Sequence, residues 1–162
     1  MLIETKKEVD LLDLKNIVES KHKIIGLDLG KKRIGVSIST SDMEGALPLR
    51  TIKYISLKSL VEELSLIIKD HNVGAMIIGL PINMDGSEGK SSQSIRDKSK
   101  EILSFFELPY SFWDERLSTA AVERFYQAPS KTRQKKINQK KDIDNLASAF
   151  ILEGALKYIK RN

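Results

Sequence analysis

Three carboxylates in this chain occupy positions from which a carboxylate could do chemistry. Asp28 lies in the run Ile24-Ile25-Gly26-Leu27-Asp28-Leu29-Gly30. A strand's period of two puts Gly26, Asp28 and Gly30 on one face and Ile25, Leu27 and Leu29 on the other. The next run repeats the arrangement, with Gly35, Ser37 and Ser39 opposite Ile34, Val36 and Ile38. If the two small-residue faces coincide, Asp28 stands on a shallow surface where a bulky ligand could approach the backbone, as glycines within strands often signal. The alternative is an acid on a solvent face beside turn glycines. Glu115 follows the apolar run Tyr110 to Trp113, a strand end of the kind that carries functional groups in open α/β sheets. Its neighbour Arg116 is a ready neutralising partner. Asp142 and Asp144 open the last helix, where capping and the helix dipole favour acids. Asp142 reads as the cap itself, whereas Ala147 and Ser148 lie one turn beyond Asp144 and leave space beside it. Carboxylates on three separate elements supply the oxygen ligands that Mg²⁺ and Mn²⁺ prefer.

Other chemistries find no support. There is no cysteine, so disulfides, thiolate nucleophiles and Cys-based zinc sites are excluded. His22 and His71 have no His or Cys partner at metal spacing. Gly89-Lys90-Ser91 mimics the end of a P-loop, but the first required glycine would fall at Met84. No Gly-x-Ser-x-Gly elbow occurs. Tyr110 and Trp113 could stack on bases, although single aromatics in a strand are more often core residues.

The elements that must position the acids can be read from periodicity. Lys23 to Gly30 and Arg33 to Thr40 predict a β-hairpin, and a third strand is expected over Leu47 to Tyr54. Leu57, Leu60, Val61, Leu64, Ile67 and Ile68 mark one face of a helix over Ser56 to His71. Val73 to Ile78 reads as a buried strand, followed by a polar loop to Lys90 and a helix from Ser92 to Phe106. A strand is expected over Tyr110 to Trp113, then a helix capped by Ser118 or Thr119 and running to Gln127. A final, mostly apolar helix from Asp142 to Lys160 is expected to bury itself against the sheet. This pattern predicts an α/β fold, a mixed β-sheet flanked by helices, in a single domain over residues 21–162. Residues 1–20 read as an amino-terminal appendage with helical spacing at Leu11, Leu14 and Val18.

With 162 residues, 41% hydrophobic and 30% charged, the chain is of one-domain size and ordinary globular composition. It has no apolar run of bilayer length and no signal-peptide core near Met1, so a cytoplasmic location is expected. The net charge of +5 is unevenly placed. Lys131, Arg133, Lys135, Lys136, Lys140 and Lys141 carry +6 with no acid among them, leaving the rest at −1. Such concentration suits a polyanion partner, the alternative being a solvated loop.

Four ordered blocks then resemble one family. They are Gly26-Leu27-Asp28-Leu29-Gly30 with Arg33-Ile34-Gly35-Val36-Ser37, the stretch Gly79 to Glu88, Asp114-Glu115-Arg116-Leu117-Ser118-Thr119, and Ile143 to Leu152. Together they resemble the YqgF/RuvX family over residues 23–152, leaving 1–20 outside. The resemblance implies an RNase H-like fold related to Holliday-junction resolvases, and a nuclease that processes the 5′ end of pre-16S ribosomal RNA. It assigns the catalytic and metal-binding acids to Asp28, Glu115 and Asp144. It also places the Gly79–Glu88 loop beside them, where Asn83, Ser87 and Arg116 would help the basic segment hold nucleic acid. The chemistry implied is phosphodiester hydrolysis with two Mg²⁺ or Mn²⁺ ions, one activating water and the other stabilising the departing 3′ oxygen. Asp28 would bridge the two. A non-catalytic nucleic-acid-binding or ribosome-assembly module, a junction resolvase acting on DNA, and an actin- or sugar-kinase-like ATPase are the competing classes. Pre-rRNA is favoured over branched DNA as partner, ribosomal precursor particles are a further one, and either a monomer or a homodimer is compatible.

Overall fold

The computed structural model describes residues 8–17, 22–118 and 140–162, with the side chains of residues 118 and 140–145 outside that description. Strands β1 (Lys23–Leu29), β2 (Arg33–Ser39) and β3 (Ala46–Lys53) form an antiparallel meander. Strands β4 (Val73–Leu80) and β5 (Tyr110–Asp114) extend it beyond β1 in parallel, giving the order β3-β2-β1-β4-β5. Parallel neighbours need crossovers, and α2 (Leu57–Asp70) and α3 (Lys90–Leu103) supply them. Ser56 starts α2 by accepting the Ser59 N–H on its Oγ at 3.1 Å. Asn72, with φ of 53°, turns the chain out of that helix into β4.

The mixed sheet has helices on both faces, so its central strands are apolar nearly throughout. One face buries Ile25, Leu27, Leu29, Met76 and Ile78 against Leu60, Leu64 and Ile67 of α2 and Ile102 and Leu103 of α3. The other buries Ile24, Ala75, Ile77 and Trp113 against the last helix, α4 (Lys140–Arg161), through Ile151, Leu152, Ala155, Leu156 and Ile159. Trp113 is thus a core residue.

The small-residue faces of β1 and β2 do coincide, since Gly26 pairs with Ser37 and Asp28 with Gly35. What approaches them, however, is α4 and not a ligand. A Cβ on Gly26 would lie 2.4 Å from Ser37 Oγ and 2.8 Å from Leu152 Cβ. The buried Ser37 hydroxyl donates to the Ser148 carbonyl at 2.9 Å, tying helix to sheet. Only the Asp28 end of that face is left for chemistry.

Several boundaries differ from those that periodicity predicts. β4 runs on to Leu80, so Gly79 belongs to the sheet and not to the following loop. α3 starts at Lys90, with Ser92 inside its first turn, where its buried hydroxyl donates to the Pro81 carbonyl, and it stops at Leu103. α4 includes Lys140, which puts Asp142 within the helix and not at its cap. The expected helix to Gln127 lies outside the described residues, as do Lys131, Arg133, Lys135 and Lys136. Residues 8–17, expected as an appendage, are packed onto the domain. Val9 N–H donates to the Tyr110 carbonyl at 2.9 Å beside β5, and Leu14 of α1 (Leu11–Ile17) is fully buried with Ile24 and Ile159. Among the described residues no helix is long and apolar enough to cross a membrane.

Candidate active site

Because β1, β4 and β5 are parallel, their carboxyl ends open on the same edge of the sheet. The register pairs Leu27 with Ile78, Gly79 with Trp113 and Leu80 with Asp114. Asp28 follows Leu27 and Glu115 follows Asp114, so the two acids flank Gly79 on the face that α4 covers. The 3₁₀ turn Glu115–Ser118 then carries the chain away.

Gly79 makes this pairing of acids possible. A Cβ built there would stand 2.6 Å from Glu115 Oε1 and 2.4 Å from Ile151 Cδ1. Both distances are below van der Waals contact, so any side chain at 79 would displace the carboxylate or the Ile151 side chain. Asp28 and Glu115 are both half-buried. Burial is the main influence pushing the Glu115 carboxyl above its ordinary pKa, followed by the charges of Asp28 and Asp114. Every one of these influences disfavours the second negative charge.

Arg116 does not neutralise Glu115, as its position in sequence suggests. It binds Asp114 instead, with Nη2 to Oδ2 at 2.7 Å and Nε at 3.1 Å from both carboxylate oxygens. That pairing holds the Asp114 carboxyl below the usual range. From there Nη1 reaches the carbonyls of Asn83 (3.3 Å) and Met84 (3.5 Å), pinning the loop after β4. The loop also builds itself. Gly86, at φ 88°, donates its N–H to the Asn83 carbonyl at 2.9 Å, while Asp85 Oδ1 accepts the Ser87 N–H (2.9 Å) and hydroxyl (2.6 Å). Those two bonds hold the exposed Asp85 carboxyl below its ordinary pKa. Asn83 Nδ2 donates to Ser87 Oγ at 3.0 Å. Asn83 and Ser87, expected to contact nucleic acid, therefore engage each other in shaping this exposed loop.

Asp144 is on α4, and its side chain lies outside the described residues. Its backbone position follows from the direction of the helix. Lys160 pairs with Glu44 beyond the start of β1, whereas the Ser148 carbonyl lies 3.0 Å from a Cβ on Gly26. One turn before Ser148 is about 5.4 Å along α4. Asp28 is two residues, roughly 6.6 Å, beyond Gly26 in the same direction. Position 144 is therefore at the edge where Asp28 stands. Lys140 and Lys141 begin the same helix, and their side chains too lie outside the described residues.

Asp28 and Glu115 are hard oxygen donors whose mutual repulsion a divalent cation would relieve, so the chemistry of this pair fits Mg²⁺ or Mn²⁺. Among the described residues no group of three or more His, Cys, Asp or Glu gathers at metal-ligand spacing. Gly79 and the loop-pinning role of Arg116 were not legible in sequence. The available signal was Pro81, which cannot donate to a ladder and so marks the end of β4 two residues after the glycine.

The RuvX family model, described as "Holliday junction resolvase", matches residues 22–158. A Pelagibacter ubique protein named "Putative pre-16S rRNA nuclease" is 42% identical over 93% of this chain and 98% of its own length. One of the same name from Rhodospirillum centenum is 38% identical over 94% of this chain and 82% of its own. Among solved structures, T. thermophilus RuvC in complex with a Holliday junction substrate aligns with a TM-score of 0.56 at 10% identity, covering 86% of this chain and 95% of that one. The yeast mitochondrial Holliday junction resolvase Ydc2 aligns at 0.57 and 11% identity, over 93% and 83%. These two likenesses show a shared RNase H-like fold.

Proposed function

Since the chain belongs to the RuvX family of Holliday junction resolvases, we propose that it is a metal-dependent nuclease that trims the 5′ end of pre-16S rRNA at the edge formed by Asp28, Glu115 and Asp144. The observation that carries this reading is the convergence of Asp28 and Glu115 across Gly79, with the Glu115 carboxyl destabilised as an anion by burial and by Asp28. Charges held so close in a half-buried place suit a cation. The names of the curated relatives supply the substrate.

Asp28, Glu115 and Asp144 would hold the metal. When bound, it supplies activation of water and stabilisation of the charge that builds on the scissile phosphate and leaving oxygen. The chain's own part is positional. Asp28 extends from a central strand paired on both sides, so its carboxylate has the stiffest mount available. Glu115 is kept in place by the space over Gly79. Arg116 and the Asn83–Ser87 turn shape one wall, and the basic segment from Lys131 to Lys141 would grip flanking phosphates.

The test is incubation of the purified protein with a pre-16S rRNA fragment carrying its 5′ leader, and separately with a four-way DNA junction, in Mg²⁺ or Mn²⁺. Cleavage within the leader that stops in excess EDTA is the expected result. Junction cutting alone would move the substrate to branched DNA. No cleavage of either with either metal would leave a nucleic-acid-binding module.

A further inference from the structure

A second feature opens at the same edge of the sheet, on the opposite face from the acids. It is an open groove of about 390 Å³ between the β1–β2 turn and the first turns of α3. Leu29, Pro81 and Ile95 supply apolar wall, and Lys31, Lys90 and Lys98 supply three ammonium groups. The acids use Asp28 and Gly79; the groove uses Leu29 and Pro81 from the same two strand ends. Its mouth is thus one or two residues away along each chain.

The three lysines come from two separate elements, and among the described residues none forms a salt bridge with a carboxylate. Lys31 and Lys90 are exposed. Lys98 is fixed: its Nζ donates to the Gly30 carbonyl at 3.0 Å and stands 4.4 Å from the Tyr54 ring centroid. Burial weakens its hold on the proton, opposed by the charge of Glu101 further along α3. Charge compensation by an incoming anion is therefore still open to the groove. Ser92 keeps the wall rigid by binding the start of α3 to Pro81.

We infer that this groove seats one nucleotide of the substrate strand next to the scissile phosphate, with its phosphate on Lys31, Lys90 and Lys98 and its sugar against Leu29, Pro81 and Ile95. Two strand residues span roughly 6.6 Å, against about 3.4 Å of axial rise per nucleotide in one strand. The seated nucleotide is then within a step or two of the cut. A site of this make-up reads backbone and not base, so it sets position without sequence preference. The inference rests on the nuclease reading for its substrate, and the experiment keeps the two apart.

Binding is measured by fluorescence anisotropy on the Asp28→Asn protein, which cannot cut if the acids are catalytic. The probes are labelled single-stranded RNAs of two unrelated sequences, titrated over a range of salt. Lys31→Gln with Lys90→Gln should weaken both RNAs alike and make the slope of log affinity against log salt shallower by about 0.7, the value for the one phosphate no longer neutralised. Lys31→Arg with Lys90→Arg should restore most of the affinity. Unchanged affinity and slope in the folded Gln variant overturn the groove while leaving the nuclease reading untouched. Absence of any RNA binding by the parent protein overturns the groove and the RNA substrate together. Weakened binding by the Gln variant, with a wild-type chain that cleaves nothing, would sustain the groove and sink the nuclease.

Discussion

Glu115 Oε1 lies 2.6 Å from the point where a side chain on Gly79 would begin. The carboxylate thus occupies the volume that every other residue type at position 79 would claim. The same crowding occurs at Gly26, but there the neighbours are Ser37, Leu152 and the Ser148 carbonyl, which belong to the packing of α4. One glycine clears the site; the other clears the core.

The two glycines should therefore fail differently. Gly79→Ala meets only the ends of flexible side chains, Ile151 Cδ1 and Glu115 Oε1, so the fold should survive with a small loss of stability. The displaced carboxylate should lower turnover by on the order of 10²-fold. Gly26→Ala meets Leu152 Cβ and helix backbone, and should cost about 1–3 kcal/mol through overpacking. Melting curves and single-turnover cleavage of both variants check the contrast. Equal losses of stability would refute it.

Asp28→Asn should abolish cleavage and leave the fold intact, because the amide keeps the shape and removes the charge. Circular dichroism and cleavage in Mg²⁺ decide the matter. A folded variant with near-normal activity would remove Asp28 from the chemistry.

Acid groups that repel each other should leave a pH signature in metal-free protein. The folded chain holds the Glu115 proton to higher pH than the unfolded chain does, because its pKa is raised above the ordinary 4.5 by burial, then Asp28, then Asp114. The stability this contributes is fully present below pH 4.5 and is lost as pH rises through the folded value. In EDTA, Glu115→Gln should therefore gain on wild type in melting temperature as pH increases past 4.5. Asp28→Asn should recover only part of that gain, since burial is the larger cause. Parallel curves for wild type and Glu115→Gln would contradict the assignment.

Arg116 joins Asp114 to the carbonyls of Asn83 and Met84. Because it is exposed, Arg116→Ala should shift the melting temperature by only a few degrees while raising KM as the loop loosens. Arg116→Lys should not restore KM, since one ammonium cannot grip the carboxylate and reach the loop together. Full rescue by lysine would reduce Arg116 to a surface charge.

The basic segment and the groove are separate sets of charges and should behave additively. Replacing Lys135, Lys136, Lys140 and Lys141 with Gln should make the salt slope shallower by roughly 0.7–0.9 for each phosphate released from a lysine, independently of Lys31 and Lys90. Turnover at saturating substrate should fall much less than affinity. An unchanged slope would mark residues 131–141 as a solvated loop.

Alternation and local spacing were enough to find the β1–β2 hairpin, the amphipathic face of α2, the short strand β5 and the apolar final helix, since each is dictated by neighbours within a few residues. They also single out Asp28, because a strand's period assigns a face without reference to the rest of the fold, and Glu115, because it follows directly on a short strand. Which face α4 would cover was beyond that reach. It depends on Gly26 admitting Leu152 and the Ser148 carbonyl, a contact between segments more than 120 residues apart. The partner of Arg116 was likewise undecidable locally, as Asp114 and Glu115 are both within its reach. Gly79 reads locally as the start of a loop because glycine followed by Leu-Pro resembles one. Parallel pairing with Trp113 of β5 drew it into the sheet and set the two acids across it.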